Sequence, residues 1–291
     1  MERHKVMEEF IDKVNKNPKK DETPPPKMMI LDDLLSKQFV EQPNIVEHII
    51  PYGGCCIISG REGSMKSYVT EHIAYAVANG LWVFDHFKVE AGNVWIIDLE
   101  NNDVETAKRM KSLLRSEQED KNKVFFTFFE DFQKPFDVTK DDSVNSIIAG
   151  IKKEDIKLVI FDSFGDIQSV DEIDKRQMQT VFKQIKFIQK YNCAVLLIQH
   201  NRKGSDIGVP KIDTMFGSIN IKAQADSVLM VDLDEDEKKL RFTQAKYRYG
   251  EKLKTFEVRY SFGDKTEFIY LGESNSNKKE LSNLNSVKNM F

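Results

Sequence analysis

The residues best suited to chemistry lie in one short stretch, Gly60-Arg61-Glu62-Gly63-Ser64-Met65-Lys66-Ser67. An apolar β-type run, Cys55-Cys56-Ile57-Ile58-Ser59, precedes it, and Tyr68 to Asn79 follows with a helical pattern. Strand, glycine-containing loop, Lys-Ser pair and helix are the parts that wrap backbone N–H groups around phosphate oxygens. The usual spacing is G-x-x-x-x-G-K-[ST]. Gly60, Lys66 and Ser67 occupy its positions. Met65 stands where the second glycine belongs, and Gly63 supplies part of the missing freedom two positions earlier. The expected nucleotide contacts therefore run from Gly60 through Arg61, Glu62, Gly63, Ser64, Met65, Lys66 and Ser67 to Tyr68. A chance turn between a strand and a helix has the same outline, so the loop is weighed with what lies downstream.

A bound triphosphate needs its charge neutralised, a Mg²⁺ held and a water activated. Lys66 is spaced to reach the β- and γ-phosphates of ATP and the Ser67 hydroxyl to bind Mg²⁺. Asp162 ends the apolar run Lys157-Leu158-Val159-Ile160-Phe161 and fits the carboxylate that completes the metal shell. Ser163 and Phe164 follow it, so no acid stands directly behind to serve as base. Glu100, just beyond the run ending in Asp98, is the alternative, because that strand is expected beside the phosphate loop. The same residue is equally placed to cap the helix that follows. Gln199 and His200 end another apolar run, where a polar pair can sense the γ-phosphate or simply terminate a strand.

Two further groups are cationic. The stretch Asn201 to Asn220 holds Gly204, Gly208, Pro210 and Gly217 and little periodicity, and a loop of that length is usually functional or disordered. Arg202, Lys203 and Lys211 lie in it and Lys222 just beyond, as candidate contacts to nucleic-acid phosphates or as a solvated loop with scattered lysines. Lys246 and Arg248 stand two apart in Lys246-Tyr247-Arg248-Tyr249-Gly250, so alternation turns both to one side. They suit either a neighbouring subunit's γ-phosphate or an exposed basic hairpin.

These residues need a scaffold of alternating strands and helices. Asn93 to Asp98, Lys157 to Asp162 and Ala194 to Ile198 read as buried strands, and Arg176 to Tyr191 carries a helical stripe of Met178, Val181, Phe182, Ile185 and Ile188. Asp103 is the expected cap of a helix from Val104 to about Glu117. Polar residues gather after the strands' C-terminal ends, which predicts an α/β fold, a mostly parallel sheet with its ligand site along that edge. Val228 to Leu233, Leu240 to Ala245 and Thr255 to Tyr260 are expected as antiparallel strands extending one edge, with Lys246 and Arg248 on an edge strand. The expected organisation is a flexible arm over residues 1–29, one ATPase-type domain over 30–272 and a disordered Asn/Ser/Lys-rich tail over 273–291. Met7 to Val14 could form a short helix in that arm, free or packed on another subunit.

Composition narrows the class. The chain has 291 residues, 40% of them hydrophobic, and a formal net charge of −4, which excludes a wholly basic nucleic-acid coat but not a basic patch. Cys55, Cys56 and Cys193 lie in apolar runs without metal-ligand spacing, as buried thiols of a reducing compartment would. No signal peptide and no membrane-length apolar stretch is apparent, so a cytoplasmic protein is expected.

Taken together, these segments resemble the RecA-like P-loop ATPase core of the RepA/DnaB hexameric replicative helicases, the small plasmid-type RepA helicases most of all. The resemblance runs from about Ile45 to Tyr260. It rests on Pro51-Tyr52-Gly53-Gly54, Gly60 to Ser67, Asp98-Leu99-Glu100-Asn101, Ile160-Phe161-Asp162-Ser163, Gln199-His200-Asn201-Arg202-Lys203, Phe216-Gly217-Ser218, Ala225-Asp226-Ser227 and Lys246-x-Arg248-x-Gly250. It implies Glu100 as base, Gln199 and His200 as γ-phosphate sensor, and Lys246 with Arg248 as a finger acting on the next subunit. It also implies ATP with Mg²⁺, a six-subunit ring and single-stranded DNA through its centre. Departures are Met65 for glycine, Gln199 where the RepA type often has His, and no separate N-terminal primase-binding domain. A RecA-like recombination filament and a nucleotide-switched signalling ATPase are the competing readings.

Overall fold

A computed structural model describes residues 26–36, 43–115, 123–170, 174–200 and 219–274. The chain divides into two units, Met1–Glu41 and Gln42–Phe291. The described part of the first is one short helix, α1 (Leu31–Leu35), with Leu31, Leu34 and Leu35 exposed.

The second unit opens with a two-stranded antiparallel ribbon, β1 (Asn44–Val46) and β2 (Ile50–Pro51). It then alternates β3 (Cys55–Gly60), α2 (Lys66–Asn79), β4 (Asn93–Asp98), α3 (Asp103–Leu113), β5 (Val124–Phe128), α4 (Asp141–Glu154), β6 (Ile156–Asp162), α5 (Lys175–Gln189) and β7 (Ala194–His200). The short α6 (Ile219–Gln224) leads into β8 (Ser227–Asp234), β9 (Lys239–Tyr247), β10 (Phe256–Ser261) and β11 (Glu267–Glu273). Among the described residues nine strands form one sheet in the order β11-β10-β9-β8-β3-β7-β6-β4-β5. The six from β8 to β5 are mutually parallel, and β9, β10 and β11 extend the β8 side antiparallel.

The central strands are buried on both faces, which is why their sequences run apolar without alternating. Their side chains still alternate in direction. Cys56, Ile58, Ile160 and Leu196 face one core with Val69, Ile73 and Val77 of α2 and the rings of Phe242, Phe256 and Phe268. Cys55, Ile57, Val159, Phe161 and Leu197 face the other, covered by the apolar stripes of α4 and α5, including all five residues Met178, Val181, Phe182, Ile185 and Ile188. The parallel α/β sheet with an antiparallel C-terminal edge is the expected fold class.

Five details differ from expectation. β8 belongs to the parallel set, pairing with β3 from Cys56↔Ser227 to Gly60↔Val231, and β11 is an additional strand. β4 does not lie beside β3; β7 and β6 stand between them. β9 is not an edge strand, being paired on both sides by β8 and β10. The cap of α3 is Asn102, whose side-chain oxygen accepts from Glu105 N at 3.0 Å, so that Asp103 becomes the first helical residue. An Asn-Asp pair offers two capping side chains, and sequence alone does not choose between them.

Candidate active site

The phosphate-type loop hangs from the C-terminal end of β3. Gly60 is required there: a Cβ would fall 2.5 Å from Ser64 Oγ and 2.6 Å from Val231 O. Gly63 has φ 78° and Met65 φ 63°, both left-handed. Met65 thus adopts the backbone conformation for which the usual pattern supplies glycine, at a cost of roughly 1–2 kcal/mol. Its side chain packs against the first core, an offsetting contact that glycine lacks. Lys66 begins α2, placing backbone N–H groups and the positive end of the helix at the loop. The Lys66 ammonium folds back on this loop, donating to Gly60 O at 3.1 Å and Arg61 O at 2.6 Å. Burial pulls its pKa down, while Asp162, Glu100 and Glu62 push it up.

Asp162 ends β6 and is 3% exposed. Its Oδ1 is buried without a hydrogen-bond partner, and Ser67 bonds to the carboxylate. Burial, with Asp98, Glu100 and Glu71 adding repulsion, pushes its pKa up to about 7 against the pull of Ser67. A carboxylate oxygen buried without a donor beside a hydroxyl suits a hard cation, so these residues fit Mg²⁺. Among the described residues no three His, Cys, Asp or Glu side chains form a metal cluster. A cation held here would therefore share its shell with phosphate and water oxygens.

Glu100 comes to this edge although β4 is three strands from β3. Leu99 N donates to Asp162 O at 2.7 Å, which ties the turn after β4 to the end of β6. His200, at the end of β7 and in register with Gly60, brings Nε2 within 3.2 Å of Glu100 Oε2. Two residues a hundred positions apart, singled out separately in the sequence, thus meet at the mouth of the loop. Gln199 is buried next to His200.

A buried polar network under this edge escaped the sequence reading. Asp98 is 1% exposed; its Oδ1 accepts from Glu100 N at 3.1 Å and Asn101 N at 2.8 Å, and its Oδ2 from Thr106 Oγ1 at 3.1 Å. Arg109 of α3 grips Glu71 of α2, with Nε and Nη2 at 2.8 Å and 2.7 Å from Oε1. Burial pushes Glu71 up to about 7 despite that guanidinium. The available signals were Glu71, the one carboxylate in the apolar run Val69 to Ala78, and Asp98, which ends an apolar strand as Asp162 does.

Lys246 and Arg248 lie elsewhere. β9 runs antiparallel to β8, and Val228↔Lys246 sets their level at the N-terminal edge of the parallel strands, opposite Gly60↔Val231. Lys246 Nζ donates to Lys222 O and Ala223 O, both at 2.9 Å, and Arg248 Nη1 to Asp226 Oδ1 at 2.8 Å. Lys222 stands in the last turn of α6. Arg202, Lys203 and Lys211 lie outside the described residues, as do most of the expected arm and most of the expected tail.

The sequence profile of the AAA domain family matches residues 21–206, more than half of the chain. No curated protein matches in sequence. Among solved structures, one ATPase domain is similar in fold, with a TM-score of 0.57 at 14% identity over 75% of this chain and 85% of that one. Among the described residues no helix is long and apolar enough to cross a membrane.

Proposed function

The chain belongs to the AAA domain family, and we propose that it is an ATP-hydrolysing motor of RepA/DnaB type, a ring that moves on single-stranded DNA. The observation that carries the ATPase part is the gathering of Lys66, Ser67, Asp162, Glu100 and His200 at one end of the sheet, with Glu100 and His200 in contact. In this reading Lys66 exchanges its loop carbonyls for phosphate oxygens, and the α2 N-terminus receives the rest of the phosphate charge. Ser67 and Asp162 hold Mg²⁺, which supplies charge neutralisation on the phosphoryl oxygens when bound. Glu100 orients and deprotonates the attacking water. His200, hydrogen-bonded to Glu100, feels any change in that carboxylate's partners and transmits it to the segment that follows β7. The ring and DNA parts rest on the resemblance of ordered segments, on Arg202, Lys203, Lys211 and Lys222 as strand contacts, and on Lys246 and Arg248 as the cations offered to a neighbour.

Two substitutions test the nucleotide chemistry. Lys66→Ala should abolish ATP binding and hydrolysis with the fold intact, since the ammonium it removes bonds to carbonyls of its own loop. Glu100→Gln should keep ATP binding and lower turnover by ~10²-fold or more. Wild-type ATP affinity in the first variant would sink the phosphate-loop assignment, and wild-type turnover in the second would leave Glu100 a structural residue.

A further inference from the structure

We infer that Asp98 is the positioning residue for Glu100: its buried carboxylate fixes the turn that aims Glu100 at the phosphate loop. The inference rests on reading Glu100 as the base.

Two ties hold consecutive backbone N–H groups of the turn after β4. Leu99 N donates to Asp162 O at 2.7 Å, and Glu100 N to Asp98 Oδ1 at 3.1 Å. The first binds the turn to the strand bearing the candidate metal ligand. The second binds it to a buried side chain that is hydrogen-bonded at both oxygens. Asn101 N and Asn101 Nδ2 donate to Oδ1 at 2.8 Å and 3.1 Å, and Thr106 Oγ1 donates to Oδ2 at 3.1 Å. Arg109 Nη2 lies 3.8 Å from Oδ2 while its guanidinium grips Glu71. Asp98 is therefore linked through Arg109 and Glu71 to α2, the helix that starts at Lys66. A side chain accepting this many hydrogen bonds in a buried site is a rigid reference point. Glu100 itself is half-exposed, and His200 is the partner seen at its carboxylate. Its placement thus comes from the backbone beneath it, and a shift of ~1 Å in a reacting group costs up to ~10²-fold in rate.

Asp98→Asn is nearly isosteric and cannot accept at both oxygens. It should lower ATP turnover ~10-fold while leaving ATP affinity within about twofold, because no phosphate-binding group is touched. The decisive reading is its combination with Glu100→Gln. If Asp98 works through Glu100, the double variant turns over no more slowly than Glu100→Gln alone. A merely structural Asp98 would slow both backgrounds by the same factor, and that additivity overturns the inference, as does an Asp98→Asn protein with wild-type turnover. Should Asp98→Asn fail to fold, Thr106→Val removes one donor from the same carboxylate and should show the same non-additive pattern, more weakly. Slow Glu100→Gln with unimpaired Asp98→Asn sinks the positioning role alone. Wild-type turnover in Glu100→Gln sinks the base assignment and this inference with it.

Discussion

At the residue scale, the site is defined by carboxylates kept where water is scarce. Asp162 and Glu71 are both pushed up to about 7, each first by burial, with Ser67 and Arg109 respectively pulling back. Both stand above the ordinary carboxylate value of about 4 that they recover in the unfolded chain. Between those values the folded protein holds protons that the unfolded chain has released. Each carboxyl therefore contributes stability that is lost as pH rises from about 4 to about 7, while His72, pushed down to about 3 by burial, contributes the opposite slope below its ordinary value. Asp162→Asn and Glu71→Gln each remove one such group. Across denaturant midpoints taken without nucleotide from pH 4.5 to 8, either variant should gain on the parent chain as the pH rises. Parallel curves would mean that neither carboxyl carries its proton in the fold. The same physics explains why Asp98 and Glu71 are hard to see in the sequence. An acid ending an apolar strand, or one inside an apolar helix, reads as a boundary or an exception until its partners, Thr106 and Arg109, are brought to it by packing.

At the element scale, the parallel strands were legible because burial on both faces leaves continuous apolar runs, and α5 because its stripe is regular. Their lateral order was not. Nothing in Asn93 to Asp98 tells it to pair with β6 rather than with β3; crossover packing decides that. Glu100 is accordingly singled out through a neighbour relation that does not exist, and it reaches the loop edge through Leu99 and Asp162 instead. β11 is hard to read because Glu267–Glu273 begins and ends in charge and is half-exposed along much of its length. α6 joins two of the proposed functions. It follows the cation-bearing segment, carries Lys222, and has its terminal carbonyls held by Lys246 and Arg248, as suits the negative end of a helix. Neutralising Arg202, Lys203 and Lys222 together should weaken binding to a single strand and flatten its salt dependence by up to about three phosphate contacts. ATP binding measured without DNA should persist. An unaltered salt slope would assign strand binding to another surface.

At the scale of the whole molecule, the position of Arg248 bears on how many chains make one active site. Gly60 is level with Val231 on β8, and Lys246 with Val228, so Lys246 lies about 10 Å down the sheet from the start of the phosphate loop, at ~3.3 Å per residue, and Arg248 lies beyond it. The loop extends away from that end, and Arg248 is itself turned to Asp226 at the opposite edge. A guanidinium so placed does not serve its own loop; in a ring it is available to the next subunit. Cations supplied in this way are worth ~10³-fold or more in phosphoryl transfer. Arg248→Ala should then bind ATP and hydrolyse it poorly, with retained binding showing that loss of the Asp226 pair has not unfolded the chain. Mixing Arg248→Ala with Lys66→Ala subunits isolates the sharing. Neither variant alone has an interface with both an intact loop and an intact finger, whereas mixed assemblies contain some with both. Activity should rise above that of either variant and peak at intermediate mixing ratios. If labelled subunits demonstrably co-assemble and the mixtures stay as inactive as the parents, the shared site is lost. The pair would then be left with the role its hydrogen bonds display, holding the end of α6 to the base of the sheet.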